Sequence, residues 1–412
     1  MMKNLFLVAL LVAVALTSSA AAAQDLLITN ARIIDGTGRV IENGSVLVDD
    51  ERIVSVTGGD AGVDAALVID AGGMTVMPGM IDTHVHITGS PDINRTALTF
   101  LELGFTTIAD LGGNLEWLSE ARDRIATEVP GPRILSSVSL AGPGNHPVST
   151  VCQFVHGPGA CDDIVEVADP ASGRELVRRY DEEHGVDVIK VIYQDTPPGT
   201  MITDDVLLAI AQEAEARGLP LTVHSPVASE AIRAIELGAE RMAHAPVQPE
   251  TEAIDIEALV RSLVQASVPV ATTAHFIAPL IDDSGASVTF FGGQPFTDDN
   301  VRILEEHMSR MRALWDAGVT IAFGTDSFVP DPTRDIRSEI ETLARVFNPD
   351  EVLPALTRNA AAYLGLDSET GTLEPGKIAD IVIIDGDPRA NLDDLRNVAV
   401  VIRAGNLAVD NR

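Results

Sequence analysis

The chain has 412 residues and carries 61 acidic against 28 basic side chains, which gives a formal net charge of −33. A surface this acidic repels phosphates, so nucleic acids and anionic membranes are poor candidate partners. The length exceeds one average domain, but α/β barrels of this size commonly form a single core with appendages.

The first 23 residues have the pattern of a secretory signal peptide: Lys3, an apolar run over residues 5–16, and small residues that end in an Ala-x-Ala motif. The run is too short to span a bilayer, and no later segment offers about 18 uninterrupted apolar residues. We therefore predict a soluble protein that begins near Gln24 and is periplasmic or secreted. In that oxidising compartment Cys152 and Cys161, which share one loop, could form a disulfide. Two unlinked thiols are the alternative, because sequence spacing does not show whether the Cβ atoms meet.

The order of apolar runs predicts an α/β barrel flanked by two β-rich segments. From residue 25 to 69, short apolar or alternating runs are broken by Gly and Asn-Gly turns, which indicates an all-β segment. From residue 77, short apolar runs alternate with amphipathic stretches such as 202–218 and 297–318, which indicates strands alternating with helices. The predicted strands are 76–87, 106–111, 133–138, 186–193, 219–225, 241–245, 268–273 and 320–327. Eight such strands close a (β/α)₈ TIM barrel over residues 77–366. β signals return after residue 366, so we predict that 24–76 and 367–412 form one small β-sandwich.

The first predicted barrel strand ends in His84-Val85-His86. The strand period of two places both imidazoles on one face, pointing into the barrel. In a parallel barrel the active site lies at the carboxyl ends of the strands, so two nitrogens there can share a metal ion. A lone His-x-His motif is common by chance.

The fourth predicted strand contains Lys190 in the middle of an apolar run. An unpaired ammonium in such a place is costly, so the lysine needs a carboxylate partner or a depressed pKa. After the predicted signal peptide the chain contains only one other lysine, Lys377. A neutral amine can add carbon dioxide to form a carbamate, an oxygen ligand able to bridge two metals. A salt-bridged core lysine is the alternative.

Three more strand ends carry candidate ligands. His224 and His244 close the fifth and sixth predicted strands, and Asp326 lies at the end of the eighth. Each histidine alone is more often a hydrogen-bonded core residue, and Gly-Thr-Asp can equally form a turn. Together with the groups on strands 1 and 4, however, they form a constellation far more specific than its parts.

These residues resemble the amidohydrolase superfamily in the form with two metals bridged by a carboxylated lysine. The similarity spans nearly the whole chain after the predicted signal peptide, including the stretches PGMIDTHVHI, VIKVI, LTVHS, AHA, FGTDS and GTLEPGKIADIVIIDGDP. The chain looks most like the branch that contains imidazolonepropionase-like proteins, metal-dependent prolidases and Xaa-Arg or Xaa-Lys dipeptidases. True imidazolonepropionases and cytosine deaminases use one metal and lack the lysine, so Lys190 argues against those activities.

The resemblance implies a role for each candidate ligand. His84, His86 and Asp326 would hold the more buried of two divalent metal ions, most simply zinc. His224 and His244 would hold the more exposed one, and Lys190, as N6-carboxylysine formed with carbon dioxide, would bridge them. Asp326 would also be the catalytic group that takes the proton from a metal-bridging hydroxide or water and passes it to the leaving nitrogen.

Substrate specificity is expected in the loops that follow the strands. His146 resembles a histidine of dipeptidase relatives, Tyr193 could polarise a substrate carbonyl or simply pack, and His275 closes the seventh predicted strand. The resemblance gives Asp110 a supporting or turn-stabilising role. His307 lies on a predicted helix and is expected at the surface.

The predicted function is therefore hydrolysis of amide bonds in a small-molecule substrate, either dipeptides or N-acyl amino acids. A lactonase, phosphotriesterase or cyclic-amide hydrolase is the alternative, because the same nucleophile attacks other electrophilic centres. A non-catalytic exported binding protein is a third interpretation, which the presence of all six expected ligands disfavours. Relatives are often homo-oligomers, but the sequence does not indicate the oligomeric state.

Overall fold

The computed structural model describes residues 24–88, 90, 92–145, 164–247, 255–277, 280–281, 287–289, 297–328 and 331–412. The predicted signal peptide (1–23), His146, Cys152 and Cys161 lie outside these residues, so their assignments stay predictions. None of the described helices is both long and apolar enough to cross a membrane.

The described strands and helices follow the order expected of a barrel between two β segments. The strands are β1 (Gln24–Ile34), β2 (Val40–Asp49), β3 (Arg52–Gly58), β4 (Ala65–Asp70), β5 (Thr75–Pro78), β6 (Met80–Val85), β7 (Phe105–Asp110), β8 (Arg133–Ala141), β9 (Ile164–Glu166), β10 (Val188–Ile192), β11 (Leu221–His224), β12 (Arg241–Met242), β13 (Val270–Ala271), β14 (Leu280–Ile281), β15 (Ser287–Thr289), β16 (Ile321–Ala322), β17 (Ile381–Ile384), β18 (Val398–Arg403) and β19 (Asn406–Asp410). The α-helices are α1 (Ile93–Glu102), α2 (Leu115–Thr127), α3 (Pro170–His184), α4 (Asp204–Arg217), α5 (Ala228–Glu236), α6 (Ile256–Ala266), α7 (Asp298–Asp316), α8 (Thr333–Leu343), α9 (Pro349–Leu356) and α10 (Arg358–Leu364). Two 3₁₀ turns span Ala274–Ile277 and Leu392–Arg396.

The terminal segments share one sheet, in the order β19-β18-β17-β5-β1-β2-β3, with β4 beside β1. The edge of β3 returns to the segment before β17, because Ile53 N–H donates to the Lys377 carbonyl at 2.9 Å and Ala379 N–H donates to the Glu51 carbonyl at 2.8 Å. Buried side chains from both segments form a core of their own between these strands. The prediction of a small β unit built from both ends of the chain is confirmed.

Eight parallel strands form the barrel, in the order β16-β13-β12-β11-β10-β8-β7-β6. Each corresponds to one of the eight strands predicted from sequence, and α4 and α7 lie where the amphipathic stretches 202–218 and 297–318 predicted helices. The barrel core is apolar, and the largest cluster of buried side chains fills the space between the strands and the surrounding helices. This framework holds the carboxyl ends of the strands, and the side chains on them, at one face of the barrel.

The prediction of one continuous strand over residues 76–87 is wrong at Gly79. There β5 ends at Pro78 and β6 begins at Met80, so the first piece belongs to the terminal sheet and pairs with β17, while the second begins the barrel. A Cβ atom at Gly79 would lie 2.2 Å from Thr106 Oγ1. The chain can pass from one sheet to the other so close to β7 only where the residue has no side chain.

The expectation that His307 is solvated is also wrong. His307 is only 4 % exposed and shares the inner face of α7 with Leu304, Met308 and Met311. Its spacing from these apolar residues is that of one helical face, so the sequence contained the signal for burial. Neither ring nitrogen has a hydrogen-bond partner among the described residues, and burial lowers the pKa of His307 to about 4.

Candidate metal centre

Three of the predicted ligands converge at the ends of the first and last barrel strands. The Nε2 atoms of His84 and His86 lie 3.2 Å apart, and Asp326 Oδ1 lies 3.1 Å from the first and 2.9 Å from the second. All three side chains are buried or nearly so. Their ligand atoms are close enough together to hold one metal ion.

Backbone carbonyls fix the tautomers of both histidines in this group. His84 Nδ1 lies 2.9 Å from the Ala243 carbonyl, and His86 Nδ1 lies 3.1 Å from the Gly112 carbonyl. A carbonyl only accepts hydrogen bonds, so Nδ1 of each ring must carry the proton. Burial, and the charge of Lys190 after it, hold the pKa of His84 well below its usual value, so this ring is neutral and its Nε2 carries a lone pair. The inward-facing nitrogens and the carboxylate oxygen form a donor set that can bind a metal ion.

His224 and His244 form a second pair of converging nitrogens. His224 Nδ1 and His244 Nε2 lie 2.7 Å apart. The other nitrogen of His224 lies 2.9 Å from Gln194 Oε1, which can only accept, so the proton is on Nε2 and the lone pair of Nδ1 faces His244. The other nitrogen of His244 lies 2.9 Å from Thr273 Oγ1. This pair can bind a second cation through one nitrogen from each ring.

Lys190 lies in the middle of β10, one strand from His224. The side chain is buried, and its Nζ lies 3.2 Å from His84 Nε2. No carboxylate makes an ion pair with Lys190 in the described part of the chain, which argues against the alternative of a salt-bridged core lysine. Burial lowers the pKa of Lys190 to about 8, although the more distant charges of Asp326 and Asp110 oppose that shift. The amine is therefore neutral far more often than an ordinary lysine.

The two groups belong to one site. The rings of His84 and His244 are 4.9 Å apart between centroids, and His244 Nδ1 lies 3.9 Å from Asp326 Oδ2. Burial alone would raise the pKa of Asp326, but the contact with His86 and the positive potential of the surrounding groups hold that pKa below its ordinary value. Asp326 is therefore a carboxylate at neutral pH and available as a ligand.

Two residues of the site have strained backbone conformations. Asp326 has φ = 56° and Thr273 has φ = 44°, both in the left-handed region that non-glycine residues seldom adopt. Such a conformation costs on the order of 1–3 kcal/mol and persists only where the surroundings impose it. The side chains of both residues contact imidazoles of the site, Asp326 that of His86 and Thr273 that of His244. The strained backbone is thus found where it places a polar group against a candidate ligand.

Asp110 supports the loop around His86. Its carboxylate accepts the backbone N–H of Ile87 at 2.8 Å and that of Gly112 at 3.1 Å, and the Gly112 carbonyl in turn accepts the His86 Nδ1 proton. Burial raises the pKa of Asp110. These contacts agree with the supporting role suggested by the sequence. On the other side, the ring of Phe328 stacks on His86 with centroids 4.6 Å apart.

Tyr193 was predicted to contact a substrate, and in the structure its hydroxyl has another partner. The side chain is 1 % exposed and packs in the main apolar core, and the hydroxyl donates to Asp204 Oδ1 at 2.5 Å. Burial and this carboxylate raise the pKa of Tyr193. Asp204 is also paired with Arg233. A substrate would have to displace an existing hydrogen bond in order to use this phenol.

His275, the other predicted substrate contact in the described chain, lies just after β13 and is 2 % exposed. Its backbone N–H donates to Glu339 Oε2 at 2.7 Å, and its Nδ1 lies 3.5 Å from the same oxygen. Burial alone would lower the pKa of His275, but Glu339 reverses the effect and raises it. Whether His275 meets a substrate stays a prediction.

Sequence reasoning missed several residues that hold the ligands in place. Gln194, Thr273 and Phe328 touch the imidazoles, and Asp82 lies two residues before His84 with its carboxylate fully buried. Of these residues, Asp82 could have been identified from the sequence, because it is a charged residue within the apolar part of a predicted barrel strand.

A (β/α)₈ barrel with histidines, a carboxylate and a buried lysine gathered at the carboxyl ends of its strands defines a metal-dependent hydrolase. The chain belongs to the amidohydrolase family, whose model matches residues 75–408. Together with the relatives described next, this membership establishes a hydrolase that acts on carbon–nitrogen bonds and confirms the family inferred from the sequence.

Relatives agree over nearly the whole chain. Imidazolonepropionase of Alkaliphilus metalliredigens (strain QYMF) is 26 % identical over 405 residues, covering 90 % of this chain and 91 % of the relative. The 5-methylthioadenosine/S-adenosylhomocysteine deaminase of Moorella thermoacetica (strain ATCC 39073 / JCM 9320) is 26 % identical over 393 residues, covering 87 % and 85 %. Among solved structures, a prolidase complexed with N-methylphosphonate-L-proline is 25 % identical with a TM-score of 0.75, covering 94 % of this chain and 100 % of that one. These similarities fit the predicted branch of the family.

Proposed function

We propose that the protein hydrolyses the amide bond of dipeptides or N-acyl amino acids at a site that holds two divalent metal ions. His84, His86 and Asp326 would bind one ion, and His224 and His244 the other. Lys190, carboxylated on Nζ, would supply an oxygen to each. Zinc suits this histidine-rich ligand set.

The observation that carries the proposal is the orientation of the ring nitrogens. The backbone carbonyls of Ala243 and Gly112 accept hydrogen bonds from Nδ1 of His84 and His86. The side-chain oxygen of Gln194 accepts a hydrogen bond from Nε2 of His224. The other ring nitrogens point inward at one another: His84 Nε2 lies 3.2 Å from His86 Nε2, and His224 Nδ1 lies 2.7 Å from His244 Nε2. The lone pairs of His84 Nε2 and His86 Nε2 repel unless a cation lies between them, and together with Asp326 Oδ1 they form a donor set that fits a metal ion.

The metals, when bound, would act as Lewis acids on the scissile carbonyl and would lower the pKa of a water at the site. The chain's own groups then handle the proton. Asp326 is ionised at neutral pH, and its Oδ2 is directed away from the His84 and His86 contact made by Oδ1. Asp326 can therefore accept the proton of the attacking water on this carboxylate and deliver it to the leaving nitrogen.

Lys190 can become the bridging ligand because its amine is buried and unpaired with any described carboxylate. The neutral Nζ lone pair forms a bond to the carbon of carbon dioxide, one C–O π pair moves onto oxygen, and Nζ releases a proton. The product is a carbamate with one negative charge. This charge offsets that of the two cations and replaces an ammonium which the buried site disfavours.

The substrate class rests on the solved prolidase, whose printed ligand is a phosphonate analogue carrying L-proline. The present chain covers that protein's full length. An imidazolonepropionase activity is the second candidate, favoured by the named relative that covers 90 % of this chain. Lys190 distinguishes the two, because the sequence resemblance associates this lysine with the two-metal form rather than with true imidazolonepropionases.

The test is a hydrolysis screen of the mature protein loaded with zinc. Substrates are Xaa-Pro, Xaa-Arg and other dipeptides, N-acyl amino acids, an imidazolonepropionate, lactones and phosphotriesters, with products followed by mass spectrometry. Asp326→Asn is the matched control because it keeps the size of the side chain but cannot serve as a carboxylate base. We expect it to reduce turnover by at least about 100-fold.

Release of an amino acid from one dipeptide or N-acyl class, lost in Asp326→Asn, would support the proposal. Turnover of lactones or phosphotriesters without peptide cleavage would contradict the substrate class. Turnover of the imidazolonepropionate in preference to every peptide would favour the second candidate.

We also propose that the protein is exported, to the periplasm or beyond, because residues 1–23 combine a basic start, an apolar run and an Ala-x-Ala end. Expression of the full chain followed by N-terminal sequencing should find a mature start near Gln24 in the exported fraction. An unprocessed chain retained inside the cell would contradict export.

A further inference from the structure

The barrel closes between β6 and the segment after β16 through irregular pairing, which we call the seam. Thr83 N–H donates to the Phe323 carbonyl at 3.0 Å, and His86 N–H donates to the Ser327 carbonyl at 2.8 Å. Between these two hydrogen bonds the chain advances by three residues in the first strand, from 83 to 86, but by four in the facing segment, from 323 to 327. The segment that contains Asp326 therefore has one extra residue. Such a bulge re-aims a side chain, but it leaves backbone groups outside the ladder.

On the other side of β6, the pairing with β7 is interrupted beside the same residues. The register between these strands shifts between Asp82 and Val85, so His84 lies within the interruption. Two backbone donors at the ligand end of the barrel, His84 N–H and Thr325 N–H, therefore need an acceptor other than a facing strand. A buried N–H without one would be costly.

The carboxylate of Asp82 is that acceptor for both donors. Its Oδ1 accepts His84 N–H at 3.1 Å and Thr325 N–H at 3.0 Å, and its Oδ2 accepts the Thr325 hydroxyl at 2.7 Å. The side chain is 0 % exposed and makes no ion pair in the described part of the chain. Thr325 Oγ1 in turn accepts Ser327 N–H at 3.2 Å, so the contacts continue to the far side of Asp326.

We propose that Asp82 is a positioning residue that joins the ends of the first and last barrel strands and thereby sets the spacing of His84 and Asp326. This inference rests on the proposed function, because the two residues are ligands of one metal ion only there. Among the described residues, Asp82 makes its side-chain hydrogen bonds to the backbone of His84 and to the backbone and hydroxyl of Thr325. It acts through the backbone of His84 and of Thr325, the residue before Asp326.

The test compares Asp82→Asn and Asp82→Ala with Asp380→Asn. Asp380 is a matched control because it is also buried, 2 % exposed, and accepts a backbone N–H, that of Ala404 at 2.9 Å. Its carboxylate, however, contacts Arg133 and the terminal sheet and lies outside the metal site. Both kinds of variant lose a buried carboxylate, so both should lower the melting temperature, and melting alone does not distinguish positioning from general stability.

Two readouts do distinguish them. The first is zinc affinity, measured by competition with a chromophoric chelator. We expect a loss of about 10-fold to 100-fold in Asp82→Asn, more in Asp82→Ala, and none in Asp380→Asn. The second is amide hydrogen exchange of the metal-free proteins, in which Asp82→Ala should speed exchange in residues 80–86 and 322–328 but Asp380→Asn should not. Thr325→Ser, which keeps the hydroxyl, should bind zinc more tightly than Thr325→Val.

Wild-type zinc affinity in both Asp82 variants, or equal losses in Asp82→Asn and Asp380→Asn, would overturn the inference. If Asp82→Ala does not fold, Asp82→Asn and the Thr325 pair carry the test. If the wild-type chain binds no metal, the proposed function fails. The exchange data then show separately whether Asp82 orders the seam.

Discussion

Burial lowers the pKa of the Lys190 amine from its ordinary value of 10.5 to about 8. At pH 7 about 10 % of such amines are neutral, against about 0.03 % of ordinary lysines, a difference of ~300-fold. Only the neutral amine adds carbon dioxide. At constant dissolved carbon dioxide, recovery of metal-stripped protein with zinc should therefore accelerate about 10-fold from pH 6 to pH 7 and level off above pH 8.

Lys190→Ala should abolish this recovery, lose one or both metals and lose nearly all hydrolysis. Short carboxylic acids, which can supply the missing oxygens, should restore part of the activity. Lys377→Ala is the matched control because it removes the only other lysine after residue 23, one that lies in the terminal β unit and pairs with Glu374. Labelled bicarbonate should give one carbamate carbon signal by NMR in wild type and in Lys377→Ala, and none in Lys190→Ala. Full activity and metal content in unsupplemented Lys190→Ala, or a recovery midpoint above pH 10, would refute this reasoning.

Further consequences follow from other contacts. Gln194→Leu removes the acceptor that orients His224. Zinc affinity should therefore fall by about 10-fold to 100-fold in a chelator competition. An unchanged affinity would contradict the placement of the His224 proton on Nε2. The pKa of His307 is about 4 in the folded protein and about 6.5 in the unfolded chain. Between these pH values the unfolded chain binds more protons than the folded protein. The free energy of unfolding therefore falls as the pH falls from 6.5 to 4, by about 3 kcal/mol for this group. Urea unfolding of His307→Leu should accordingly lose about 3 kcal/mol less than wild type between pH 7 and pH 4, and parallel pH profiles would count against a neutral buried ring. Gly79→Ala would place a methyl group 2.2 Å from Thr106 Oγ1 and should cost about 1–3 kcal/mol in thermal unfolding, whereas an unchanged melting temperature would show that the crossing between the sheets can relax.

Much of the fold was predictable because the periodicity is strong and local. The eight apolar runs that became barrel strands are separated by amphipathic stretches, and each run ends close to a polar residue. The break at Gly79 was not predicted, although Pro78-Gly79 is a dipeptide that commonly marks a turn. The need for glycine itself comes from the close approach of Thr106, a residue 27 positions away in the sequence.

The candidate ligands were predictable for a different reason. Strand ends of a parallel barrel meet at one face, so His84 and Asp326 could be placed together although 242 positions separate them. The residues that orient these ligands were harder to predict from the sequence. Gln194 and Thr273 lie in loops beyond β10 and β13, and their contacts depend on backbone conformations, including the positive φ of Thr273.

His307 illustrates how residue type can mislead. A histidine on an acidic amphipathic helix is usually solvated, but the positions of Leu304, Met308 and Met311 place His307 on the buried face of α7. The helical period was the stronger signal, and the polarity of the side chain was the weaker one.

Whether the protein holds two metal ions is decided by the number of zinc ions bound per chain, determined by elemental analysis after metal-stripped protein is saturated and desalted. We expect two ions for the wild type. We expect one for His244→Ala, which removes a single nitrogen of the second group while the cluster of His84, His86 and Asp326 remains. One ion in the wild type would contradict the second site and the bridging role of Lys190. No bound ion would contradict the assignment of the converging histidines as a metal centre.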